Sequence, residues 1–280
     1  ELRKQNIETL EAFANTEAAL IKPDRGNHET FIRKRSQARI QLTGRVQNKL
    51  VSEFLPVEAG RGLNRLPEPG RGDIYFDIEG DAFFPDGGLE YLLGFAYVDD
   101  EGALAYKKIW STNRLEEKRA FASFMQFVVY RWKKFPNLYI YHFAPYEPSA
   151  VKRLARVHAM FEGEVDELLR SERFIDLHRT FKEALLASVE RYSLKDLERF
   201  TTYTRQIQLH EASIARRNVE CALELNDFAS LTPETLKTVE EYNADDCIAT
   251  KELHIWLESL RSDLVRQGKQ FQRPVPKESA

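Results

Sequence analysis

The sequence predicts an α/β fold: a mixed sheet in which a three-stranded antiparallel meander leads into alternating α and β, flanked by helices and preceded by a small helical segment. Three observations carry this expectation. Period-2 alternation begins at residue 73, directly after a Gly/Pro-rich stretch. Two more strand-like runs follow, joined by the turn "DDEG". From residue 113 onward amphipathic helices alternate with short apolar strands.

The first 57 residues read as helical and basic. "NIETLEAFANTEAAL" spaces Ile7, Leu10, Phe13 and Leu20 near the helical period, and "NHETFIRKRSQARIQLTGRV" repeats it with Phe31, Ile32, Ile40 and Val46. Residues 1–72 carry 13 Lys/Arg against 9 Asp/Glu, although the 280-residue chain has a net charge of −3. A basic segment beside an acidic remainder suits a polyanion partner, and a solvated charged helix accounts for the same counts. The stretch "EAGRGLNRLPEPGRG", residues 58–72, concentrates Gly and Pro and reads as a linker. It opens a domain expected over residues 73–262, with residues 263–280 as a flexible tail.

Within that domain each element has its own signal. In "DIYFDIEGD", Ile74, Phe76 and Ile78 alternate with Tyr75, Asp77 and Glu79. "LEYLLGFAYV" and "ALAYKKIW" are the second and third strands. "NRLEEKRAFASFMQFVVYRWKKF" has amphipathic spacing, and Pro136 lies just beyond its end. "NLYIYHF" is the fourth strand, followed by a helix through "SAVKRLARVHAMF"; "RFIDL" is a short fifth strand, followed by helices through "FKEALLAS" and "SLKDLERF". A long last helix runs from about Thr232 to Leu260, with Thr232 suited to the N-cap and Pro233 to the first helical position.

Some functions are excluded. No apolar run approaches the roughly 18 to 20 residues of a membrane span, and no signal-peptide pattern is seen. No GxxxxGK[ST] loop is present, so a nucleotide-driven motor is not expected. Cys221 and Cys247 lack CxxC spacing; they read as thiols of a reducing, cytoplasmic setting, and a zinc site is unsupported. A chain that opens on Glu1 is expected to be a piece of something longer.

Acidic residues carry the chemistry. Asp77 and Glu79, two apart on one strand, leave the same face roughly 6.5 Å apart, where both can hold a divalent cation. An edge strand with one solvated face would read the same way. Asp73 shares their parity one step further out and is expected to be solvated; Asp81, after Gly80, is expected in a loop. Downstream, Tyr242 and Asp246 are one helical turn apart on a face continued by Ala249 and Leu253. An aspartate on an inward face is costly unless it meets a cation. Tyr242 taken alone also fits a core aromatic, and Asp245, rotated about 100° away, is expected to be solvated. Glu147 precedes Pro148 at a helix start, which suits either ligation or simple capping. Phe83 and Phe84 follow the acidic strand and either stack on a base or pack beneath the loop. His142 and Tyr146 sit near Glu147, and Lys195 either meets a phosphate or is an ordinary surface lysine.

An acidic pair on the first strand, an acid after the fourth and a late Y-x-x-x-D together resemble the DEDD superfamily of 3′–5′ exonucleases, of the tyrosine-containing DEDDy subgroup, whose fold is ribonuclease-H-like. Over residues 72–262, the "DIEGD" start, "HFAPYEPSAVKRL" and "YSLKDLE" resemble more closely the RecB-family nucleases that contain a ribonuclease-H-like domain. The resemblance implies metal ligands at Asp77, Glu79, Glu147 and Asp246 for two Mg²⁺ or Mn²⁺ ions. Tyr242 would orient the attacking water or help deprotonate it. Glu147 departs from the family's aspartate, which leaves Asp176 in "RFIDL" as the fallback. Phe83, Phe84, His142, Tyr146 and Lys195 are the candidate substrate contacts. The implied activity is a metal-dependent 3′–5′ exonuclease with single-stranded DNA favoured over RNA, beside a helicase or second nuclease module of one parent protein. RNA trimming and a catalytically weak nucleic-acid-binding module are the alternatives.

Overall fold

A computed structural model describes residues 2–20 and 27–275; residue 1, residues 21–26 and the last five residues of the expected tail lie outside the described residues. Strand β1 is Ser52–Phe54, and the acidic strand is β2, Ile74–Asp81. Strands β3 (Leu89–Val98) and β4 (Leu104–Trp110) complete the antiparallel meander. Strands β5 (Ile140–His142) and β6 (Phe174–Asp176) add in parallel on the other side, which gives the order β4-β3-β2-β5-β6. The acidic strand is therefore the centre of a mixed five-stranded sheet flanked by helices, not the edge strand that its period would equally allow. Both faces of β2 are covered. Ile74, Phe76 and Ile78 are buried with Phe121, Phe124 and Val128 of helix α3 (Arg114–Lys134) and with Val151 and Leu154 of α4 (Tyr146–His158). The opposite face carries Tyr75, Asp77 and Glu79 toward the other helical layer.

That layer is dominated by α9, Pro233–Arg266, whose Thr232 side chain caps Thr235 N and whose Pro233 occupies the first position, as expected. Helix α8, Leu209–Glu224, packs against it, an element the sequence reading did not identify. Gly94 on β3 permits the close approach of α9: a Cβ there would fall 1.5 Å from Asn243 Oδ1.

Several expectations are corrected. "FKEALLAS" is not one helix: α6 (Leu177–Ala184) stops, and Leu185–Ala187 form β7, paired antiparallel with β1. Its partner lies more than a hundred residues earlier, so local periodicity could not reveal it. Helix α4 begins at Tyr146 rather than Ser149, and a separate α5 (Glu162–Arg170) follows it. Helix α7, Leu194–Leu197, is a single turn. Before the sheet, α1 (Leu10–Asn15) and α2 (His28–Gln47) pack together, and Gln37 and Gln41 of α2 donate to the carbonyls of Ala187 and Val189. Inside the Gly/Pro-rich stretch, a 3₁₀ turn at Gly62–Arg65 packs on α6, with Leu63 and Leu66 buried in the core. Beyond α9, Arg273 pairs with Glu258.

Candidate active site

Among the described residues, one group of three acids could hold a metal ion: Asp77, Glu79 and Asp246, each with an oxygen within 4.8 Å of the others. Glu79 and Asp246 are buried and Asp77 half-buried. The strand supplies the first two by parity, and α9 supplies the third. The register against β3 shifts between Glu79 and Gly80, at the end of the pair. A Cβ on Gly80 would lie 2.2 Å from Glu90 Oε2 and 2.8 Å from the Tyr146 hydroxyl, so a larger residue would displace those two side-chain ends.

Three negative groups so close, away from water, resist ionisation. Burial is the main cause that drives the Asp77 carboxyl well above its ordinary range, followed by the charges of Asp246, Glu79 and Glu147. Burial likewise pushes Glu79 up to about 7, against the pull of Arg216. Asp77 Oδ2 accepts a hydrogen bond from Asn243 Nδ2 at 2.7 Å. Both oxygens of Asp246 face cations: Lys195 Nζ donates to Oδ2 at 2.7 Å and Arg205 Nη2 to Oδ1 at 2.6 Å. Arg216 Nε lies 2.8 Å from Glu79 Oε2.

Tyr242 sits in the middle of these cations. Lys195, Arg205 and Arg216 stand 5.0, 5.7 and 5.5 Å from its ring centroid. Burial, then Asp246, raise its phenol to about 12, so it stays protonated at neutral pH.

Glu147 is buried in the first turn of α4 and is not part of the 4.8 Å trio. Its Oε2 is buried without a hydrogen bond, 3.4 Å from His142 Nδ1. It is close enough to Asp77 to raise that carboxyl's pKa. His142 Nδ1 lies 2.6 Å from the Ala144 carbonyl; a carbonyl only accepts, so the proton belongs on Nδ1. The fallback, Asp176, is engaged elsewhere: its Oδ1 accepts from Arg179 N, capping α6, and from Ala144 N. Four carboxylates, one with an orphaned buried oxygen, fit hard divalent cations bound through oxygen better than zinc.

The candidate substrate contacts divide. Phe83 is 86 % exposed, whereas Phe84 is half-buried against an apolar cluster with Arg114 over its ring. Tyr146 is half-exposed, and its hydroxyl donates to Glu90 rather than facing the trio. Lys195 is not an ordinary surface lysine, since it bonds a site carboxylate.

Three acids expected at the surface or in a loop are buried. Asp73 accepts from Gly70 N and Tyr139 N, fastening the start of β2 to the start of β5. Asp81 ends the strand and accepts from Phe83 N. Asp245 accepts from Tyr203 Oη, Gln206 N and Ile207 N, and so fixes the loop that carries Arg205. Arg205, Arg216 and Asn243 are the site residues that sequence reasoning missed.

A family model, that of the RNase_H superfamily, matches residues 74–258. The chain belongs to the RNase_H superfamily. Membership supports a nuclease-type phosphodiester hydrolase acting on nucleic acid, and the acidic cluster is compatible with divalent metal. No curated protein and no solved structure matches the chain. No helix among the described residues is long and apolar enough to cross a membrane.

Proposed function

We propose that residues 73–262 form a divalent-metal-dependent 3′–5′ exonuclease that favours single-stranded DNA, one module of a larger nuclease or helicase protein. The observation that carries this reading is the convergence of Asp77, Glu79 and Asp246 within 4.8 Å, with Tyr242 one helical turn before Asp246. Asp77, Glu79, Asp246 and Glu147 would hold two Mg²⁺ or Mn²⁺ ions, which when bound supply Lewis-acid stabilisation of the attacking and leaving oxygens. The chain's own residues do the rest. Tyr242, protonated and fixed by its cation neighbours, orients water for in-line attack on the last phosphate. Asn243 holds the Asp77 carboxylate in place through its 2.7 Å bond. Exposed Phe83 offers a ring on which a terminal base can stack.

The placement of Glu147 outside the trio favours one other reading, a catalytically weak binding module. Labelled single-stranded DNA and RNA, incubated with Mn²⁺ beside an Asp77→Ala control, separate the possibilities. Stepwise shortening of 5′-labelled DNA by the wild type alone is the expected result. Shortening of RNA alone reassigns the substrate. Binding without trimming of either strand removes the enzyme.

A further inference from the structure

The three cations around Tyr242 are not equivalent. Arg205 is locked: its Nε and Nη2 donate to both oxygens of Glu198 at 2.7 Å, the same Nη2 also donates to Asp246, and its side chain is only 9 % exposed, with Nη1 buried and unpartnered. Such bidentate pairing marks a fixed strut. Lys195 and Arg216 are held differently. Lys195 makes one hydrogen bond to a carboxylate and keeps 28 % of its side chain exposed. Arg216 stands against Glu79 without an aligned hydrogen bond from Nε, its second carboxylate contact, to Glu220, is 3.7 Å long, and its side chain is a third exposed. The two come from separate elements, α7 and α8, on which they flank the Tyr242 ring.

The oxygens they occupy, Asp246 Oδ2 and Glu79 Oε2, belong to the very carboxylates that converge as a metal-ligand set. A divalent cation and a side-chain cation compete for one carboxylate lone pair. Once the carboxylates are taken, Lys195 loses its carboxylate partner and Arg216 keeps, of its carboxylate contacts, only the 3.7 Å one to Glu220, both beside the Tyr242 ring with solvent on their free side. A buried or half-buried cation without a counter-charge is costly, and a phosphate offers that charge at hydrogen-bond range.

We propose that Lys195 and Arg216 are a two-position phosphate clamp: they neutralise Asp246 and Glu79 while no divalent cation is held, and contact backbone phosphates of a bound single strand when one is. This deepens the nuclease reading and rests on it. Arg205 stays with Glu198 in both conditions as a fixed counter-charge.

The test is the salt dependence of binding by the full chain to a 5′-fluorescein-labelled oligodeoxythymidine, measured in Ca²⁺ and again in EDTA. A gel confirms that the strand remains intact. Each phosphate contact to a single strand contributes about 0.7 to the slope of log K against log salt. Lys195→Gln and Arg216→Gln should each lower the wild-type slope in Ca²⁺ by about 0.7 and leave the EDTA slope unchanged. Arg216→Lys and Lys195→Arg, which keep the charge and guard against loss of fold, should retain the wild-type slope in both. Equal slopes for wild type and Gln variants in Ca²⁺, or an equal fall in EDTA, would overturn the clamp while leaving the nuclease reading intact. No binding by the wild type in either condition would overturn both.

Discussion

Replacing Asp77 by asparagine should make the metal-free protein more stable and the metal-bound protein less so. The structure gives the sizes. Oδ2 of Asp77 accepts from Asn243 at 2.7 Å, and an asparagine side chain keeps an acceptor oxygen for that bond. What disappears is a charge that burial, Asp246, Glu79 and Glu147 all disfavour. Two ionised carboxylates 4.8 Å apart, the limit within which the trio's oxygens lie, would repel by about 3.5 kcal/mol at an effective dielectric constant of 20. Lys195, Arg205 and Arg216 offset the further repulsion. Turning a charged hydrogen bond into a neutral one gives back about 1.5 kcal/mol. The net gain for Asp77→Asn without metal, at a pH where Asp77 is ionised, is therefore about 2 kcal/mol, or about 4 to 8 °C in melting temperature for a domain of this size, and it shrinks as the pH falls and the raised Asp77 carboxyl takes up a proton.

Divalent metal reverses the order. At a hundredfold excess over its dissociation constant a ligand stabilises the wild type by about 2.7 kcal/mol, and the variant should gain almost nothing. Melting curves followed by a fluorescent dye, in EDTA and in Mn²⁺, should thus cross. If Asp77→Asn melts below the wild type in EDTA, Asp77 is chiefly a structural acceptor for Asn243 and the electrostatic reasoning is wrong. If Mn²⁺ raises both proteins equally, the ion sits elsewhere.

The pH dependence of metal-free stability follows from Glu79, whose carboxyl titrates near 7 in the folded chain against 4.5 when free. Between those values the folded chain holds a proton that the unfolded chain has released, so stability is fullest below about pH 4.5 and falls as pH rises toward 7, by about 3 kcal/mol from this group. Denaturation in EDTA across that range should show the decline and Mn²⁺ should remove it; a flat EDTA profile contradicts the assignment. Tyr242→Phe keeps the ring among its three cations and removes only the hydroxyl, so it should fold normally and bind DNA, yet cleave on the order of a hundredfold more slowly in single-turnover assays. Gly94→Ala forces a methyl group onto Asn243 and should cost about 1 to 3 kcal/mol in urea titration, together with most of the Mn²⁺ stabilisation. Asp245→Ala strands the amides of Gln206 and Ile207; it should lower stability by about 1 to 3 kcal/mol and raise hydrogen exchange at residues 203–207 in particular.

The legible parts of the site were those whose cause lies within one element. Parity along β2 separated Asp77 and Glu79 from Ile74, Phe76 and Ile78, and the one-turn spacing on α9 paired Tyr242 with Asp246; both arrangements are what the backbone builds. Asp73, Asp81 and Asp245 are not legible in the sequence because their partners are backbone amides of other segments or of a local turn, which charge and periodicity do not register. Arg216 was missed with its whole helix. In "LHEASIARRNVECALE" the buried residues Ala212, Ala215, Val219, Ala222 and Leu223 are mostly small, so the apolar stripe is faint among charges. The available signal was that Arg216 stands one residue from that stripe and one turn before Glu220. Strand β7 escaped for the same reason in another form, since three apolar residues read equally well as the end of a helix until β1 is beside them.

The reason Asp246 meets Asp77 at all comes down to one amide. Asn243 donates through Nδ2 to Asp77 on β2 and accepts through Oδ1 from the Tyr106 hydroxyl on β4. A carboxylate could not donate to Asp77, and an ammonium could not accept from Tyr106. Only a side chain with a donor and an acceptor on opposite corners satisfies both neighbours. One turn later Cys247 Sγ donates to the Gly94 carbonyl, so two contacts a turn apart pin the register of α9 on the sheet. Between them α9 turns Asp246 toward Asp77 and Glu79. A slip of one residue would carry that carboxylate about 100° round the helix and place Asp245 or Cys247 there instead. The acidic strand supplies the first two carboxylates by alternation, but the third is delivered by an uncharged residue three positions earlier, which fixes where the helix lies.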